Sequence, residues 1–275
     1  MLYQSMNTIT LFTTLNIIGL LWIGTLANPF KAIYALIREL ITNYRFLLLF
    51  GAMAGIFLLN KMEQQYELDH PVQADYTSWM FLWEGQFVRH LQEIFYTPWL
   101  TPILAYFYLL VFQAVIIGSL GVYLIQQNKT LVYAVCYAIL INYAIAIPFF
   151  LLFPVNEVWS YAPAGVTFYM LDVFPAFETI YRPLSGLDNC FPSLHTSLSV
   201  TMALLAFKSG NKRWAWMTGI SAFIIVFSIF YLGIHWVSDM LAGVTLAVLA
   251  STAGLYLGKW TNAKSSELPL LKRAA

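Results

Sequence analysis

The sequence predicts an all-α polytopic membrane bundle of six to seven transmembrane helices, with one further helix lying in the outer interface. Three observations predict it. Apolar residues make up 60% of the 275-residue chain and charged residues only 10%, too few to solvate a soluble surface of this size. Several apolar runs approach the roughly 20 residues that cross a bilayer core as a helix. The cations, finally, are strongly biased to one set of connections.

The first apolar run, about 8–28, has no positive charge ahead of it and no small-residue cleavage site behind it. It reads as a retained span, not a signal peptide. Further spans are expected near 45–60, 101–125, 131–153, 192–207, 214–235 and 239–257. The second and fifth are short, which keeps a six-span reading open. Two connections are long, about 61–100 and 154–191. In the first, Trp83, Phe87, Leu91 and Ile94 recur at helical spacing among dense Trp and Tyr, which predicts a helix in the outer interface over 79–95. It serves either as an aromatic anchor or as a lid. No repeat interrupts the chain, and residues 1–275 read as one membrane domain.

Alternating seven spans places Lys31, Arg38, Arg45, Lys129, Lys208, Lys212, Arg213, Lys259, Lys264, Lys272 and Arg273 on one side. The other side keeps only Lys61, Arg89 and Arg182. By the positive-inside rule the two long loops face away from the cytoplasm and the C-terminus faces it. "NKT" at 128–130, formally a glycosylation acceptor, is then cytoplasmic and unmodified. Cys136 and Cys190 fall near opposite membrane faces, too far apart for a disulfide, and no zinc-ligand spacing occurs.

Two polar clusters sit on the outer side. In "NCFPSLH" (189–195) Pro192 suits the first turn of a helix. Its N-terminal amides and the Ser193 hydroxyl favour an anion such as phosphate, with His195 one turn away as a proton donor. In "YLGIHWVSD" (231–239) His235 precedes Asp239 by four residues. On a continuous helix the two share a face; the carboxylate then holds one imidazole nitrogen and leaves the other to attack or to accept a proton. If the chain turns between spans, spacing alone does not guarantee the contact. Arg182, the one cation of the second long loop, offers either a two-pronged phosphate contact or a rim ion pair with Glu178 or Asp188. Ionisable groups beside membrane helices are costly, which favours a function for them.

These residues resemble the type 2 phosphatidic acid phosphatase superfamily. Its signature has a Lys with Arg-Pro after six residues, then Pro-Ser-Gly-His, then Ser-Arg with His after five residues and Asp after three more. Arg182-Pro183, Pro192-Ser193-Leu194-His195, and Ser228 with His235 and Asp239 match in order and spacing. The chain departs at Pro175, Leu194 and Ile229, where the signature has Lys, Gly and Arg. "PSLH" with "YLxxHWxxD" is more similar to the subgroup containing inositol phosphorylceramide synthase, which moves a phospho-head-group between lipids.

The resemblance implies a catalytic core over about 100–257 and a lipid phosphatase or phosphotransferase working through a phosphohistidine. His235 would be the nucleophile, Asp239 its orienting acid and His195 the proton donor and later the base. Arg182 and Ser193 would hold phosphoryl oxygens. No metal and no cofactor is implied. The two missing cations are worth several kcal/mol, since single removed donors cost about 3–4 kcal/mol. Either Arg89 folds over the site to supply one, or the substrate is a phosphodiester with fewer charges. Water as acceptor makes the chain a hydrolase, and a lipid alcohol makes it a head-group transferase; both stay open. The partners implied are a lipid phosphate or phospholipid and the bilayer of a cell membrane, with no nucleic acid. A non-enzymatic lipid-binding or transport protein ranks lower: a transporter would place ionisable residues deep in several spans, and here they cluster at one end.

Overall fold

A computed structural model describes residues 5–69 and 75–271. Thirteen α-helices run through them. The first, α1 (Met6–Thr25), starts where the Ser5 hydroxyl accepts the Thr8 N–H. It is followed by α2 (Phe30–Thr42) and α3 (Tyr44–Asp69). The connection expected over 29–44 is therefore itself helical. Its Phe30, Ile33, Tyr34, Ile37 and Ile41 are exposed on one face, the pattern of a helix lying along a membrane surface. The second span runs past the expected 60 because α3 carries Lys61, Glu63 and Glu67 on the same helix.

The predicted interfacial helix is two: α4 (Thr77–Glu84) and α5 (Phe87–Phe95). Gly85, at φ 59°, breaks them apart in the left-handed region where glycine is unstrained. Leu82, Trp83 and Ile94 are exposed. The opposite face is tied down: Gln92 Nε2 donates to Thr167 O at 2.8 Å and to Tyr231 O at 2.9 Å, and Gln92 Oε1 accepts the Thr167 N–H at 3.0 Å.

Helices α6 (Leu100–Tyr106) and α7 (Phe112–Ile125) join through a π-helical turn, Phe107–Val111, into one span. Asn128 of the "NKT" triplet accepts the Leu131 N–H and so caps α8 (Lys129–Leu152). In the second long loop α9 (Met170–Val173) and α10 (Phe177–Ile180) are single turns. The last three helices are α11 (Leu194–Phe207), α12 (Lys212–Tyr231) and α13 (Val237–Leu271).

Among the described residues six helices are long and apolar enough to cross a membrane, and α11 is a shorter apolar seventh. The molecule is an all-α polytopic bundle. Packing separates an inner set from an outer one: 22% of an 18-residue apolar stretch of α1 and of α3 is buried, against 61% of such a stretch in Leu100–Ile125 and 56% in α12. Helix α13 lies along α8 at a distance only glycine permits. A Cβ on Gly258 would stand 2.5 Å from Thr130 O, and one on Gly254 would stand 2.8 Å from Ala134 O. This small-residue pair four apart is a recurrent device of membrane helix packing.

Candidate active site

His195 and His235 meet on the wall of one cavity of about 440 Å³. Their ring centres are 6.3 Å apart, close enough for one phosphoryl group to touch both. His195 is the second residue of α11. Pro192 lies before this helix, not within its first turn; Ser193 is the cap, its Oγ accepting the Thr196 N–H at 3.3 Å. The backbone N–H of Ser193 donates to Asp239 O at 3.1 Å. Ser193 thus locks the start of α11 to the start of α13; its buried hydroxyl oxygen accepts the cap bond and its own hydrogen stays available to donate. The His195 ring stacks on Tyr108 at 4.0 Å and 14°, with Phe112 at 4.3 Å. Its Nε2 is buried without a hydrogen-bond partner among the described residues, as a group awaiting a ligand would be.

The chain turns between α12 and α13, so the His235–Asp239 contact does not come from a shared helix face. Gly233, at φ 83°, makes the turn; a Cβ there would stand 2.6 Å from Thr167 O. His235 lies outside both helices, and Asp239 is in the first turn of α13. Asp239 Oδ2 accepts the Trp236 N–H at 2.8 Å and stands 3.2 Å from His235 Nδ1. Both residues are buried. With Nδ1 held by the carboxylate, Nε2 is the nitrogen left for chemistry.

Cys190 also reaches this imidazole. Its Sγ is 3.1 Å from His235 Nδ1 and donates to Ile234 O at 3.3 Å. A bridge between Val155 and Asn189 holds the loop in place, and Val158 N–H and Trp159 N–H donate to Ile234 O and Gly233 O. Burial, then the charges of Asp239 and Glu157, push the Cys190 thiol well up, so it is protonated near neutrality. Sequence reasoning weighed Cys190 only as a disulfide or zinc-motif candidate and gave it no part in the site, although it stands two residues before Pro192.

Arg182 is fully committed. Nη1 and Nη2 donate to Glu157 at 2.7 and 2.9 Å, Nε and Nη2 to Glu178 at 3.1 and 2.9 Å, and Nη1 to Gly186 O at 2.8 Å. Those bonds match the five N–H groups of a guanidinium. The cation also lies over the rings of Trp159, Phe168 and Phe177. Burial works against its charge, but the two carboxylates outweigh it and raise Arg182 above its ordinary value. Burial likewise raises Glu157, only partly offset by Arg182. The rim pair with Glu178 is present, and Glu157 is a second partner that the sequence reading missed. Its only signal was being the lone acid of "FPVNEVWSYA".

Arg89 lies elsewhere. Its Nε donates to Glu93 at 2.9 Å, both side chains about half exposed, and its Cδ packs beside Gly165. Among the described residues lining the cavity there is no Lys or Arg. The rest of the wall is mostly apolar, with Met6, Phe57 and Ile117 reaching the exposed surface of the bundle. The cavity therefore connects the histidines to the lipid-facing side.

The pattern of the PAP2 superfamily matches residues 77–253, well over half of the chain. The chain belongs to the PAP2 superfamily. Members of that superfamily are phosphoesterases and phosphotransferases, and a PAP2 domain supports phosphatase-type activity on lipid phosphoesters in general. The matched segment begins at α4 and ends within α13, so it takes in both interfacial helices and both histidines and leaves α1–α3 outside. No curated protein and no solved structure matches the chain at a significant level.

Proposed function

We propose that this PAP2 protein cleaves a phosphoester of a membrane lipid at the extracytoplasmic face, through a phosphohistidine on His235. The observation that carries this reading is the single cavity in which the two histidines converge and whose apolar wall reaches lipid-exposed residues. Nε2 of His235 attacks phosphorus as the bond to the leaving oxygen breaks, and His195 gives that oxygen its proton. Asp239 keeps the remaining proton on Nδ1 and stabilises the charge that forms on the ring. An acceptor hydroxyl then attacks the phosphohistidine, His195 takes its proton, and His235 is restored. The two histidines must start in opposite protonation states, so the rate falls on both sides of an optimum pH.

Phosphoryl oxygens are met by first-turn amides of α11. Arg182 contributes only by giving up a carboxylate, and Arg89 only by leaving Glu93. A cavity wall without Lys or Arg among the described residues suits a phosphodiester, with about one negative charge, better than a monoester with nearly two. That observation favours the second reading, head-group transfer to a lipid alcohol.

The test is phosphate release from a lipid phosphate monoester by the detergent-purified protein and by His235→Ala. Release that vanishes in the variant supports hydrolysis. No release from either protein moves the assay to a diester donor with a lipid-alcohol acceptor. Turnover of neither class, or turnover that survives His235→Ala, overturns the proposal.

A further inference from the structure

Cys190, His235 and Asp239 bring a sulfur, an imidazole nitrogen and a carboxylate oxygen together, all within 4.8 Å of one another. Cys190 Sγ and Asp239 Oδ2 stand 3.1 and 3.2 Å from the same atom, His235 Nδ1. Zinc bonds of about 2.3 Å to sulfur and about 2.0–2.2 Å to nitrogen and oxygen, at tetrahedral angles, set ligand atoms about 3.4–3.6 Å apart. The three side chains need to spread only slightly to accept the ion. Asp239 Oδ1 is buried without a hydrogen-bond partner among the described residues, so the carboxylate has an oxygen to offer. Cys190 and His235 both line the cavity, which supplies an entry path and a fourth position for water. A sulfur, nitrogen and oxygen set of this kind suits zinc and not magnesium or calcium.

We propose that Cys190, His235 and Asp239 form a zinc site that switches the reaction off. In the reactive arrangement His235 carries its proton on Nδ1 and presents a bare Nε2. Zinc takes the lone pair of Nδ1, and the single hydrogen of the neutral imidazole moves to Nε2. The nitrogen that attacks phosphorus then has no lone pair to give. The Cys190 thiol loses its proton to solvent as sulfur binds the metal, and Asp239 exchanges its contact with Nδ1 for one with the ion. The switch rests on His235 being the nucleophile; the site itself does not.

Full-length protein in detergent, stripped with a chelator, is titrated with cobalt(II) as a coloured stand-in and with zinc as competitor. The expected result is a near-ultraviolet thiolate-to-cobalt band in the wild type and in Cys136→Ser, erased by zinc and absent from Cys190→Ser. No band in the wild type, or a band that survives Cys190→Ser, overturns the site. Should Cys190→Ser fail to fold, the wild type alone decides: zinc slows alkylation of Cys190, read by peptide mass spectrometry, and an unchanged rate overturns the site.

In the activity assay each variant is compared with its own metal-free rate. The zinc concentration for half-inhibition is expected to rise by about tenfold or more in Cys190→Ser. Zinc that binds but leaves turnover untouched overturns the switch while keeping the site. Loss of the proposed reaction in every assay leaves the cobalt band as an independent result.

Discussion

At the scale of single residues, the site is built from groups that each answer to several partners. Asp239 shows this most clearly: one oxygen holds the Trp236 amide and the His235 ring, and its backbone carbonyl takes the Ser193 N–H. Asp239→Asn keeps the shape but presents an amide to Nδ1, which turns the imidazole to the wrong tautomer. Turnover is expected to fall by ~10³–10⁴, the scale seen when an orienting acid is lost, with folded yield nearly unchanged; steady-state kinetics and size-exclusion chromatography check both. Arg182 is the counter-case, a motif residue whose donors are all spent inside the protein. Glu157→Ala breaks a buried pair, side chains 12% and 8% exposed, and should cost about 3 kcal/mol in stability. Glu178 is 40% exposed, and Glu178→Ala should cost no more than about 1 kcal/mol. Thermal unfolding of the two variants distinguishes them.

At the scale of elements, the start of α13 depends on a residue from another helix. The Glu84 carboxylate, at the end of α4, accepts the Ser238 N–H at 2.7 Å and also the Val237 N–H and the Ser238 hydroxyl. It caps the turn that carries Asp239, so the interfacial helices position the proposed orienting acid as well as facing lipid. Glu84→Ala is expected to cost about 1–2 kcal/mol and to lower turnover. Burial raises the Glu84 carboxyl despite those bonds. A raised folded value means the folded protein keeps the proton to higher pH than the unfolded chain. The stability this adds is complete below the ordinary carboxyl range, about 4–4.5, and is lost as pH rises through the folded value. Glu157, raised in the same direction, adds to the slope. The melting temperature should therefore fall as pH rises from the ordinary carboxyl range, and Glu84→Gln should flatten that fall; a melting series over pH measures it.

For the whole molecule, the uneven cation distribution meets the alternating helices in one consistent arrangement. Lys31 and Arg38 on α2, Lys129 at the start of α8, Lys208 just after α11, and Lys212 and Arg213 at the start of α12 fall on one side of the bundle. Lys272 and Arg273 lie outside the described residues. With that side cytoplasmic, the exposed loop residue Gln126 faces inward and the exposed Ala162 faces out. Gln126→Cys should resist an impermeant thiol reagent in intact cells, and Ala162→Cys should react. The reverse pattern would invert the bundle and put the histidines at the cytoplasmic face.

The sequence by itself determined the bundle, its apolar spans and the candidate histidines, because membrane burial requires long runs of apolar side chains and chemistry requires scarce ionisable ones. It also marked the two long loops. It left α2 as a connection, since 29–44 is amphipathic and not uniformly apolar, and it ran α4 and α5 together across Gly85. Only the tertiary structure decided that Arg182 is held by Glu157, that Arg89 pairs with Glu93, that Glu84 caps α13 and that Cys190 touches His235. Each of these contacts joins residues set by how helices and loops pack, and linear spacing carries no record of a partner brought in from another element. Even His235 and Asp239, four apart, owe their contact to the turn at Gly233 and not to the helical period that first paired them.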